Sequence, residues 1–112
     1  MNIVSLDQLS IEAFAGMVKA KWLVEPGAGG ALELELAAVS PRRLIPSGGA
    51  GGGTYEQFAL ELLGPADRLL PQRMYWIEAP SLGRFELFIV PVGRDASGIR
   101  YEAAFNRPVT AR

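Results

Sequence analysis

Histidine and cysteine are both missing from this chain of 112 residues, and most ordinary catalytic chemistry goes with them. Without cysteine there is no disulfide, no thiolate nucleophile and no zinc–thiolate site, a usage that fits a reducing cytoplasm. Without histidine, a serine nucleophile has only Lys19 or Lys21 as a base. The alternation around them places both on a solvent face, where a hydrated lysine stays protonated. An excess of charge of one sign is lacking too. Eleven basic and twelve acidic residues leave a net charge of −1, so nothing draws in a polyanion and nucleic acid is not an expected partner. The longest apolar run, Leu87–Val92, falls far short of the ~20 residues of a membrane-spanning helix. Met1–Asp7 has no basic start and carries an acid within its apolar stretch, unlike a secretory signal. The expectation is a soluble, cytoplasmic protein without a membrane partner, folding as a single domain over residues 1–112.

Several motifs are incomplete in ways that exclude their chemistry. The glycine tract Gly48–Gly53 is followed by Thr54-Tyr55 rather than Lys-Ser/Thr, so the lysine of a phosphate-binding loop is absent, and no Gly-x-Gly-x-x-Gly register fits within it. Asp95 beside Ser97 and Gly98 offers one carboxylate, too few for calcium. Glu33, Glu35, Glu61, Glu86 and Glu102 all fall at outward positions of alternating segments, which reads as solvated surface rather than paired acid–base catalysts. No catalytic residue, cofactor or metal ligand is therefore assigned.

What is present is strand. Hydrophobic residues make up 49% of the chain alongside thirteen glycines and eight prolines, the composition of short strands joined by tight turns. The centrepiece is Leu82–Gly93, where Phe85, Leu87 and Ile89 share one face while Glu86, Phe88 and Val90 share the other. Past Glu86 both faces are apolar, which suits a central strand. Asp95-Ala96-Ser97-Gly98 reads as a tight turn. It leads into Ile99–Asn106, with Ile99, Tyr101, Ala103 and Phe105 inward. Arg73–Glu78 precedes them as the third strand of a meander. Upstream, Val18, Ala20, Trp22 and Val24 alternate with charges. Leu32, Leu34 and Leu36 do likewise, until the phase slips at Ala37-Ala38-Val39, where a β-bulge is the economical explanation. The segment 54–63 satisfies both a helical and a strand pattern, and the unbroken alternation of Phe58, Leu60 and Leu62 favours strand. At the N-terminus, Ser5 and Gln8 form a capping box for a helix over about Leu6–Ala15, with Leu6, Leu9, Ala13 and Phe14 on one face and Gly16 as a left-handed cap. Residues 41–53 lose all periodicity and read as a flexible Pro/Gly-rich loop. The expected fold is mainly β: a small antiparallel β-barrel or sandwich of about six strands with one short N-terminal helix.

The aromatic residues carry most of the functional information. Tyr75 and Trp76 are adjacent in a strand and must point opposite ways, and Phe88 is likewise opposed to Leu87, so the meander holds more apolar surface than one core side needs. Either the helix covers the excess or another chain does. Tyr75, Trp76, Phe88 and Val90 are thus the candidate interaction surface, facing a protein partner or a second copy in a homo-oligomer. The arginines scattered through the turns, Arg84 among them, have Glu78, Glu86 and Glu102 as their plainest cross-strand partners.

The pattern Phe58-x-Leu60-x-Leu62-x-Gly64-Pro65, Leu70-Pro71-Gln72-x-x-Tyr75, Leu82-Gly83, Leu87-Phe88-x-Val90-Pro91-x-Gly93 and Gly98-x-x-Tyr101-Glu102-Ala103-x-Phe105-Asn106 resembles a family of small bacterial domains of unknown function. The likeness runs from Phe58 onward, with a weaker echo in Phe14-x-x-x-Val18, and these motifs mark turns and strands rather than chemistry. The long glycine loop before Thr54 departs from the family pattern. The resemblance implies an accessory role without assigned catalytic residues, in a family sometimes found near phage-tail-like genes. The expected function is a non-enzymatic structural or protein-binding module. The alternative is a small-ligand binder or carboxylate-dependent enzyme using a barrel mouth lined by Trp22, Tyr75 or Trp76, and Tyr101.

Overall fold

Period-two alternation becomes pleated strand along most of the chain in the computed structural model, which describes residues 2–25, 31–46 and 53–109. Seven strands follow a short N-terminal helical segment: β1 (Lys21–Glu25), β2 (Leu32–Val39), β3 (Arg43–Pro46), β4 (Thr54–Gly64), β5 (Arg73–Ala79), β6 (Gly83–Asp95) and β7 (Gly98–Pro108). All pair antiparallel in one sheet of order β2-β1-β5-β6-β7-β4-β3. An additional pairing of β2 with β4 joins the two ends, so six of the strands form a closed ring. Closure satisfies backbone groups that an open sheet would leave bare.

The inward faces are those the alternation predicts. Trp22, Val24, Leu34, Leu36, Leu60, Leu62, Ile77, Phe85, Leu87, Ile89, Tyr101 and Ala103 are all buried, and they fill the inside of the ring. The expected bulge is present: Leu36 pairs with Leu62 but Ala38 with Glu61, so the register shifts between them. Segment 54–63 is strand, part of the longer β4. Its length is explained by its neighbours, because one edge runs along β7 for ten residue pairs from Tyr55 to Gly64. The other edge is shared between β2 and β3. At the junction Ser40 substitutes for the ladder: its amide donates to the Ala59 carbonyl and its Oγ accepts from the Ala59 amide, both at 2.8 Å. The β6–β7 turn follows its sequence chemistry. Ser97 N–H donates to Asp95 Oδ1 at 2.8 Å, and Gly98 has φ +137°, where a Cβ would overlap the Gly64 carbonyl oxygen.

Four expectations are corrected. First, the stretch 41–53 is not loop throughout, since Arg43–Pro46 adds the seventh strand on β4; residues 47–52 lie outside the described residues, as do residues 26–30. Second, the N-terminal helix is split into a 3-10 turn, Leu6–Gln8, and α1, Ile11–Ala15. The Gln8 side chain does reach back to the Ser5 amide, but α1 has its own cap, Ser10, whose Oγ accepts from Ala13 N–H at 3.1 Å. Third, Gly16 is right-handed, at φ −70° and ψ −9°, because the chain keeps turning and makes its left-handed step at Lys19, φ 79°. Fourth, β1 therefore begins only at Lys21, and Val18 is 38% exposed instead of inward.

The two ends of the ring are closed by different means. At one end Phe14 of α1, fully buried, meets the rings of Trp22, Phe58, Phe85 and Phe105 at centroid separations of 5.4 to 6.3 Å. At the other, the segment between β4 and β5 folds over the opening. Leu70 is buried there; its amide donates to Tyr101 Oη at 3.0 Å, and Tyr75 Oη donates to the Pro71 carbonyl. No helix among the described residues is long and apolar enough to cross a membrane.

Candidate interaction surface

Because side chains alternate along β5 and β6, each residue on the outer face of one strand stands opposite a partner on the other. The register sets Met74 against Phe88 and Trp76 against Glu86, while on the far side of β6 Val90 stands against Glu102 of β7. Met74 is 55% and Phe88 45% exposed, so the pair presents a bare apolar step on the outside of the ring. Trp76 and Val90 are half-buried beside it. The Arg84 guanidinium covers the Trp76 ring, 4.7 Å from its centroid, while its Nη2 donates to Glu25 Oε1 at 2.7 Å. α1 does not cover this face, which corrects one of the two expected fates for the excess apolar surface; the helix spends its one buried aromatic, Phe14, on the end of the ring.

Of the four residues expected to form the surface, Trp76, Phe88 and Val90 are brought together on one face and Tyr75 is not. Tyr75 is 2% exposed, being one residue out of phase with Trp76. Its ring points into the core and its hydroxyl is used on Pro71. Burial raises its pKa, partly opposed by the neighbouring Arg73. Met74 was missed by sequence reasoning, although it lies two residues from Trp76 and so shares its face; the register adds that it stands opposite Phe88. The residues expected to line a ligand-binding mouth fare similarly, since Trp22, Tyr75 and Tyr101 are all inside the filled core.

The arginines choose other partners than those expected. Arg84 pairs with Glu25, Arg42 and Arg107 with Glu56, Arg100 with Glu61 and Asp95, and Lys21 with Glu35. Glu78, Glu86 and Glu102 form no salt bridge among the described residues. The reason is geometric. Arg84 is directly opposite Glu78, yet by lying across Trp76 it reaches the next strand and meets Glu25 instead.

A polar cluster at the helix end of the ring was also missed. Glu56 lies in phase with Phe58, and Arg107 in phase with Phe105, so both point inward and stand directly opposite one another. Arg107 Nε donates to Glu56 Oε2, Arg42 Nε donates to Oε1 at 2.7 Å, and the other Arg107 nitrogens reach the carbonyls of Leu6 and Leu9 at 2.8 and 2.7 Å. The Arg107 guanidinium also lies over the rings of Phe58 and Phe105. Burial acts to raise the Glu56 pKa, but the hydrogen bonds from Arg107 and Arg42 outweigh it and hold the carboxyl below its ordinary value. The signal was the phase of the alternation alone. On the surface, Asp95 is similarly lowered by Arg100 and by the Ser97 amide.

Over the outer face of β4 and β7 runs a shallow groove of about 450 Å³, floored by Ala59 and Ala104 and walled by Arg43, Gln57 and Asn106. Its one hydroxyl, Ser40, accepts from the Ala59 amide, and its one carboxylate is that of Glu102. Among the described residues no group of three or more acidic side chains could hold a metal ion.

No curated protein and no solved structure matches the chain. Residues 9–105, from Leu9 at the helix end to Phe105 of β7, match the family called DUF6916, a domain of unknown function, and the chain belongs to that family.

Proposed function

We propose that this protein is a non-enzymatic, protein-binding accessory module whose contact surface is the outer face of β5 and β6. The observation that carries this reading is the Met74–Phe88 pair, two large apolar side chains directly opposite one another and about half exposed on a rigid two-strand platform. Such a pair flanked by Trp76 and Val90 has the make-up of an interface core, Met and aromatic residues, with the Arg84 guanidinium lying over Trp76 beside it. Supporting the absence of catalysis are the chain's lack of histidine and cysteine and the engagement of Glu56, the one buried carboxylate among the described residues, with two arginines. The partner is a protein, either a second copy or a different chain. In its sharpest form the role is that of an accessory to a phage-tail-like assembly, resting on the family resemblance in the C-terminal half.

Size-exclusion chromatography with light scattering, together with affinity capture from the native host, tests this. An oligomer or a discrete captured protein is expected from the wild type and should be lost in Phe88→Glu, with circular dichroism unchanged. A chain that stays monomeric at high concentration, and whose captured set is the same with and without Phe88→Glu, would overturn the proposal.

A further inference from the structure

We infer that the partner of the β5–β6 outer face is a different protein that presents a basic, apolar-centred segment, a cationic amphipathic helix, rather than a second copy of this chain; this rests on the reading of that face as a protein-binding surface. The apolar step formed by Met74, Trp76, Phe88 and Val90 is bordered by four carboxylates, and their register is known. Glu25 and Glu86 stand on either side of Trp76, Glu102 stands opposite Val90, and Glu78 follows two positions along β5 from Trp76. Only Glu25 is neutralised, by Arg84. Glu78, Glu86 and Glu102 are left without salt-bridge partners, although the chain as a whole carries nearly as many basic as acidic residues. Glu61 and Asp95 are taken up by Arg100, whereas Glu12, Glu33 and Asp67, away from this apolar step, also form no salt bridge among the described residues. The border of this one apolar face is therefore an uncompensated acidic rim.

Such a rim selects its occupant. A two-fold self-contact would lay the acidic border of one copy over the acidic border of the other, and like charges brought together at an interface border are unfavourable. An anionic lipid surface is repelled for the same reason. A helix with leucines along one stripe and lysines or arginines flanking it matches both features, the leucines covering Met74 and Phe88 while the cations reach the three free carboxylates. The strand spacing of about 5 Å across the sheet and about 7 Å between alternate residues sets the carboxylates around the apolar centre at a reach suited to long basic side chains.

The test uses the full chain and a fluorescein-labelled amphipathic helix built from leucine and lysine, with a leucine–glutamate helix of the same pattern as its control, followed by fluorescence anisotropy. The leucine–lysine helix should bind, with affinity falling as salt is raised. Phe88→Ser should weaken it on the order of tenfold, and Glu86→Lys with Glu102→Lys by at least as much, while Glu12→Lys on α1, away from this face, changes it little. Thermal melts of each variant separate lost binding from lost folding. Failure of the leucine–lysine helix to bind, equal binding of the leucine–glutamate helix, or indifference to the Glu86 and Glu102 reversals would overturn the inference. Self-association of the wild type that Phe88→Glu abolishes would also overturn it, by making a second copy the occupant, yet would leave the protein-binding reading standing. A chain that neither self-associates nor depends on Phe88 for any captured partner defeats that broader reading instead.

Discussion

The two ends of the ring solve one problem with different chemistry. At the helix end, Phe14 sits among four aromatic rings, and Arg107 ties Glu56 on β4 to the carbonyls of Leu6 and Leu9. At the loop end, the segment is held by two neutral hydrogen bonds: the amide of buried Leu70 donates to Tyr101 Oη, and Tyr75 Oη donates to the Pro71 carbonyl. The helix end thus depends on bulk apolar contact and on a charge that must stay paired, the loop end on hydroxyl–backbone contacts worth about 1 kcal/mol each. Mutation and acid should therefore act unequally on the two.

The largest effect is expected from Phe14→Ala, which removes a fully buried ring at the meeting point of the aromatic cluster. Urea denaturation should show a loss of roughly 4 kcal/mol. Next comes Arg107→Ala, which leaves Glu56 with Arg42 as its sole ion-pair partner and frees the carbonyls of Leu6 and Leu9; a loss of roughly 2 kcal/mol is expected. Arg107→Lys should recover only part of that, because an ammonium cannot reach Glu56, Leu6 and Leu9 at once. At the loop end, Tyr101→Phe deprives the Leu70 amide of its partner and should lose about 1.5 kcal/mol. If Tyr101→Phe proved as damaging as Arg107→Ala, the contrast between the ends would fail.

Acid sharpens the same contrast. The folded-state pKa of Glu56 is depressed, so its contribution to stability is fully present above the unfolded carboxylate value and is lost as pH falls through the folded value. Stability measured in urea at neutral pH and again near pH 3 should drop for the wild type and for Tyr101→Phe alike. In Glu56→Gln the drop should be the smallest of the three, since that variant has no charge left to lose.

Much of the fold was legible in the residues because it is encoded locally. Alternation marked the buried faces of β1, β2, β4, β6 and β7, the slip at Ala37-Ala38-Val39 marked the bulge, and Asp95-Ala96-Ser97-Gly98 marked the turn. The errors arose where a local pattern has two outcomes. Arg43–Pro46, flanked by proline and arginine, became a strand only because β4 was long enough to offer it an edge. Gly16 had the residue type of a left-handed cap, but the turn was completed at Lys19. Of the candidate surface, Trp76, Phe88 and Val90 were legible from their phase, Met74 shared Trp76's phase but needed the register to show it opposite Phe88, and Tyr75 was one residue on the wrong side.

By itself, the order of residues determined that this protein is mainly β, which side chains face inward, and that its strands carry apolar surface on both faces, because a pleated backbone turns each successive side chain to the opposite side. Only the tertiary structure decided that β2 meets β4 to close the ring, that Glu56 meets Arg107, and that Arg84 crosses Trp76 to Glu25 and leaves Glu78, Glu86 and Glu102 bare. Those are choices of partner between segments distant in the chain, and they are settled by register and packing geometry, which no local period records.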